Sequence, residues 1–300
     1  MKIKSIARMR LRVIYIILPA TLAARLTVSL LLVMSLSLVG LVLMPTPVYA
    51  ATITTAGSGN WNSTTNNAPW PGGTVPATTD NVVIRPGDTV TVTANATINS
   101  ITFANTATAT GTLTVNSSVT LTVTAGITLQ NAADDSTAAA ISGAGAITCA
   151  SVTLGGTSSP TASATATLAS TITNLTIAGN LAITSQRSGS TANNNPTFAL
   201  NSGAVSVGGS IAFTTANNAA SIATLTMASG AATGTLTLSG AIPFTDSNNG
   251  GVPTFTANGT SATVVYSAAG AQTVRNVTYT NLTLSGSGAK TLQTGTTTIG

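Results

Sequence analysis

Histidine and glutamate are missing from all 300 residues. Without an imidazole there can be no Ser-His-Asp or Cys-His nucleophilic relay, and the usual histidine-containing zinc sites are excluded as well. The one cysteine, Cys149, has no partner for an intrachain disulfide, so order has to come from packing and hydrogen bonds. In "GAITCASVTL" it shares the phase of the apolar residues, which predicts a buried small hydrophobe rather than a reactive thiol. Charged residues make up only 5% of the chain, and their placement decides how the net charge of +5 is read. Lys2, Lys4, Arg8, Arg10, Arg12 and Arg25 all precede residue 50. After it Arg85, Arg187, Arg275 and Lys290 face five aspartates, a net charge of −1. No basic patch remains to neutralise phosphates, so nucleic acid is not an expected partner.

What is present begins with a leader. A basic stretch runs into "LTVSLLLVMSLSLVGLVLM" and then "PTPVYA", where Val48 and Ala50 are the small residues that signal peptidase prefers. Residues 1–50 are therefore expected to be a signal peptide, with Met9 a second candidate start and maturation near Ala51. The rival is an uncleaved membrane anchor, since the apolar run approaches the roughly 20 residues that span a bilayer. Either reading places the rest outside the cytoplasm, at the cell surface or beyond. The membrane enters only through this segment.

From residue 51 the chain is built of Thr, Ala, Ser, Gly, Asn and Val. "TVTVT" (89–93), "TLTV" (112–115), "VTLTVT" (119–124), "TLTM" (224–227) and "TLTL" (235–238) alternate at period two, the mark of half-buried strands. Leu113 and Val115 are expected inside and Thr114 outside. Repetition follows: "GNLAI" at Gly179, "GSIAF" at Gly209 and "GAIPF" at Gly240, and "TNLTIAG" from Thr173 returning as "TNLTLSG" from Thr280. Short strands in units of a few tens of residues, each without a core of its own, suit a stacked solenoid. The expected fold is all-β, a right-handed parallel β-helix over 89–300 with an N-terminal cap over 51–88, the repeat pattern running on past Gly300. Tandem β-sandwiches are the alternative, disfavoured by strands of about four to six residues and few large aromatics.

The opening of the exported part sets Trp61, Trp70, Gly72–Gly73, Pro76 and Asp80 ahead of "NVVIRPGDTVTV". It resembles the N-terminal segment of large secreted bacterial β-strand-repeat proteins, adhesin-like and right-handed β-helical, and is similar to the start of G8-type domains. "VVYSAAGAQTVRNVTYTNLTLSGSGAKTLQTGTTTIG" resembles the recurring unit of the same proteins. The resemblance implies an adhesin-like surface or matrix protein, with extracellular glycans or proteins as partners and no defined ligand. In that setting the tryptophans are expected to fold over the exposed end of the solenoid. Asp80 should satisfy turn amides, and "RPGD" (85–88) should form a tight turn. Sugar stacking on an exposed tryptophan is the functional rival.

No catalytic, cofactor or metal residues are assigned. Asp134 and Asp135 in "NAADDS" are the nearest approach to a glycosidase carboxylate pair, but neighbours on a strand point to opposite faces. The accompanying His and Arg–Lys motifs of β-helical polysaccharide hydrolases are absent, so an exposed turn is expected. Calcium would suit the same carboxylates, yet the "GGxGxD" nonapeptide of calcium-binding β-rolls is missing. The expected role is non-catalytic attachment or matrix formation. A carbohydrate-active β-helix enzyme comes second. Ice binding by outward Thr rows, including "TATAT" (106–110), comes third, because the rows do not recur at a constant coil length.

Overall fold

The computed structural model describes residues 29–31, 50–104, 109–129, 137–155, 164–188, 192–227 and 233–300. The chain divides into two compact units, 1–48 and 49–300. In the first, Ser29–Leu31 are helical and the remainder of the expected signal segment lies outside the described residues. No helix among the described residues is long and apolar enough to cross a membrane.

The second unit is a right-handed parallel β-helix. Period-two alternation gives each strand one apolar edge, and stacking coils buries that edge against the coil's other sides. A nine-stranded sheet forms one side, here face C, and a fourteen-stranded sheet forms the other two. The larger sheet is creased where strands Thr120–Leu129 and Ala146–Gly155 turn a corner. At Thr124 and Ala125 two neighbouring residues are both exposed, which resets the alternation. Before the crease lies face A, with Ala96–Ile98, Asn174–Ile177, Ala204–Val207, Thr235–Leu238, Thr263–Tyr266 and Asn281–Leu284. After it lies face B, with Thr52–Thr54, Asn81–Ile84, Ser100–Phe103, Leu181–Thr184, Ile211–Thr215 and Phe244–Asn248. Among the described residues one pairing is antiparallel, Gln186–Ser188 on Ala192–Asn194.

Register makes the interior. On face A, Leu121, Ile147, Leu175, Val205, Leu236 and Val264 stack in one buried column. Cys149 stands in the next column, between Val123 and Ile177, and is buried as its phase predicts. Leu113 and Val115 are fully buried while Thr114 is not. The glycine repeat marks the corner between faces A and B. There the Gly209 amide donates to the Gly179 carbonyl at 2.8 Å, and a Cβ on Gly240 would fall 2.0 Å from the Gly209 carbonyl oxygen. Only a residue without a Cβ lets the coils approach so closely.

The third repeat departs from the sequence pattern. Leu181 pairs with Ile211 as the alignment of "GNLAI" with "GSIAF" requires, but Ile211 pairs with Phe244 instead of Ile242. The reason is Pro243. With Ile242 opposite Ile211, residue 243 would have to donate its amide to the Ile211 carbonyl, and proline has none. The strand slips by two residues, Ile211 N–H donates to the Pro243 carbonyl at 2.9 Å, and Ile242 is left 63% exposed.

Coil length is uneven. Partners on face A follow at 28, 30 and 31 residues from Ile147 through Leu175 and Val205 to Leu236, but Val264 to Leu282 takes only 18. At the other end Val82 to Ile101 takes 19. The solenoid is wide in the middle and narrow at both ends. Its strands begin at Thr52, ahead of the expected boundary at residue 88, and the loop over 61–80 stands outside the strand stack in place of a face A strand.

Candidate functional sites

The loop over 61–80 packs against the first strand of face A: Trp61, Val75 and Pro76 border a small cavity with Ala94, Asn95 and Ala96. Both tryptophans are buried, Trp70 completely, with their rings edge-to-face at 5.1 Å. The Trp70 indole Nε1–H donates to the Trp61 carbonyl, satisfying the polar atom of the deeper ring. Neither ring is presented for sugar stacking. Asp80 anchors the loop's exit, its carboxylate accepting from the amides of Ala51 at 2.9 Å and Ala77 at 2.8 Å. Arg85 to Asp88 form a turn with Pro86 second and Gly87 third at φ 83°, the type II pattern. Asp88 accepts from Thr55 Oγ1 at 2.5 Å and Arg85 Nε at 3.0 Å.

A second site arises where the solenoid narrows. After Phe244–Asn248 the next pass on this side, Gln272–Val274, pairs with Lys290–Leu292 and leaves the 244–248 strand bonded only to face B behind it. The gap is a cavity of about 280 Å³ bordered by Ile242, Phe244, Asp246, Gln272, Thr273 and Arg275. Asp246 pairs with Phe213, which pairs with Ile183, so a carboxylate ends an inward-facing apolar column. Arg275 compensates it with a two-pronged contact at 3.0 and 2.9 Å, its guanidinium lying 5.3 Å from the Phe213 ring centre and 5.1 Å from that of Phe244. Gln272 is 3% exposed and donates to the carbonyls of Leu238 and Gly240, filling the corner above them. Below, the Tyr266 and Tyr279 hydroxyls meet at 3.0 Å. Tyr266 accepts from the Arg275 amide, and Tyr279 donates to the Arg275 carbonyl. Burial pushes both phenols above their ordinary range, with Tyr266 adding to the rise at Tyr279.

The sequence pattern does not reveal this arrangement. Asp246 and Arg275 lie 29 residues apart, and only the coil length brings them together. The one signal is that Phe244 and Asp246 share a phase in "PFTDSN". Chemically, the pair closes the wide interior: each carboxylate oxygen of Asp246 is held by a different guanidinium nitrogen. Cys149 offers no nucleophile either, since burial pushes its thiol up to about 12. Among the described residues no three His, Cys, Asp or Glu side chains gather as a metal site. Asp134, Asp135 and the Arg187 side chain lie outside the described residues.

The fold and these sites define a capped β-solenoid whose charged groups serve its ends. Comparison with known proteins adds no relative: no family model, no curated protein and no solved structure matches the chain.

Proposed function

We propose that the chain is an exported, adhesin-like surface or matrix repeat protein that attaches without catalysing a reaction. The observation that carries this reading is where the charges are. Asp80, Arg85, Asp88, Asp246, Arg275 and Lys290 are all engaged in closing turns, ends or corners, Lys290 Nζ donating to the carbonyls of Ala268 and Gly288 at 2.9 and 3.0 Å. What remains for contact is a long neutral surface of Thr, Ser, Asn and Ala on a rigid rod, which suits attachment better than acid–base chemistry. The leader and the resemblance of the opening stretch support an extracellular setting.

Beads coated with the 49–300 unit should adhere to cells or to extracellular matrix material, and incubation with polysaccharides should release no reducing ends. Exported material should begin near Ala51 on N-terminal sequencing. Asp134→Asn combined with Asp135→Asn should change neither adhesion nor stability by more than about 0.5 kcal/mol, as for ordinary surface changes. Glycan cleavage by the parent that disappears in this double variant would replace the reading with an enzymatic one.

A further inference from the structure

Unequal coil lengths do not disturb the outward columns of face A. Thr97, Thr122, Thr148, Thr176, Ser206 and Thr237 are mutual register partners on six successive strands, although the coils between them take 25 to 31 residues. Val265 and Thr283 continue the column over two more strands. The extra residues sit in corners and on the other faces, so the spacing of the column is set by the ladder alone. That spacing is about 4.8 Å, and the eight strands make a strip about 34 Å long.

Three properties of the strip restrict what it can bind. First, it is uncharged: the face A strands read ATI, TLTV, AITC, NLTI, AVSV, TLTL, TVVY and NLTL, with no ionisable group of either sign turned outward. Second, it carries no outward aromatic, arginine or methionine, the groups that anchor protein interfaces and stack on sugar rings. Third, its hydroxyls are idle. Thr122, Thr148, Thr176, Ser206 and Thr237 make no side-chain hydrogen bond among the described residues, and stacked neighbours at about 4.8 Å are too far apart to bond one another. On face C, by contrast, Thr114 and Ser142 do meet at 3.0 Å. The outcome is a rigid lattice of hydroxyls and methyls, repeating at about 4.8 Å along the axis and about 6.8 Å along each strand, every hydroxyl needing a partner from outside.

We propose that face A binds ordered water, and specifically the surface of an ice crystal. An uncharged lattice of donors and acceptors matches an uncharged face. The two repeats of the strip are close to oxygen spacings of hexagonal ice, and the methyls between hydroxyls hold the intervening waters in place. This inference stands on face A alone and on neither export nor cell attachment.

The test uses the fluorescently labelled 49–300 unit, which contains the whole described core, and measures its partition into a growing ice front together with thermal hysteresis. Uptake of the parent into ice is expected. Thr148→Tyr with Thr176→Tyr should lower it about tenfold, equivalent to about 1.4 kcal/mol of binding, by breaking the flat strip. Thr148→Lys with Thr176→Lys, which suits an exposed strand position and adds charge, should do the same if the tyrosine pair folds poorly. Thr128→Tyr with Thr153→Tyr, the equivalent outward positions on face B, should leave uptake unchanged. The proposal is overturned by exclusion of the parent from ice, by equal loss from the face B pair, or by full uptake of a folded face A variant. Binding to insoluble cellulose or chitin in place of ice, or self-association abolished by the face A pairs, would overturn it too.

Discussion

Replacing Trp70 with alanine removes the largest fully buried side chain in the protein. Truncation of a buried tryptophan costs about 3–5 kcal/mol, the lost transfer energy plus the cavity left behind. The lost edge-to-face contact with Trp61 lies within that figure. In a stack of coils this cost is not spread over the molecule, because each coil touches only its neighbours. It should therefore appear as local opening at one end. The reporting amides are Ala56, which donates to Pro69, Trp61, which donates to Thr91, and Asn81, which donates to Ala51. At tenfold per 1.4 kcal/mol their hydrogen exchange should accelerate by roughly a hundred- to a few thousandfold. Amides far along the stack, such as Thr235 bonded to Gly203 and Thr263 bonded to Gly234, should exchange as in the parent. Acceleration of less than tenfold at Ala56 and Trp61 would refute the cap. Equal acceleration at Thr235 would refute the one-dimensional account of stability.

Arg275→Ala leaves the Asp246 carboxylate and two aromatic faces without their cation, and should destabilise the coils around Phe244 by about 1–3 kcal/mol; chemical denaturation checks this, and Arg275→Lys should recover only part because it cannot make the planar fork. Asp88→Asn weakens the bonds from Thr55 and Arg85 and should cost about 1–3 kcal/mol at the first coil, read by exchange at Arg85 and Thr89. For Cys149 the folded pKa of about 12 lies above the ordinary thiol value of 9.0, so the unfolded chain loses its proton first as pH rises. Stability should then be full below pH 9 and fall between pH 9 and about 12 by at most about 1.4 kcal/mol per unit. Cys149→Ala should flatten the first part of that decline in pH-dependent denaturation, leaving the share of the two raised tyrosines at higher pH.

Alternation alone makes the strands readable in the sequence. Thr114 between Leu113 and Val115, and Cys149 in phase with Ile147, fall on the correct sides because a period of two leaves no other choice. Gly179, Gly209 and Gly240 stand out as a repeat because a corner this close tolerates no side chain. The slip at Pro243 is not legible: it follows from which amides the neighbouring strand needs, a property of the pair and not of either strand. The Asp246–Arg275 closure is hidden for the same reason, its partners being neighbours only once the intervening coil is drawn. The expectation that irregular coil lengths rule out aligned threonine rows fails on a physical point: register is fixed strand to strand, and corners absorb the difference.

The narrowing at both ends has a mechanical consequence. Thr52 and Ile299 belong to strands at opposite ends of the stack, so tension applied through them opens the ladders from the ends, one coil at a time. A released coil of 18 residues lengthens the tether by roughly 60 Å and one of 31 residues by roughly 105 Å, at about 3.4 Å per extended residue. A pulled molecule would yield first in short steps and then in longer ones, behaving as an extensible spring whose step size grows toward its middle.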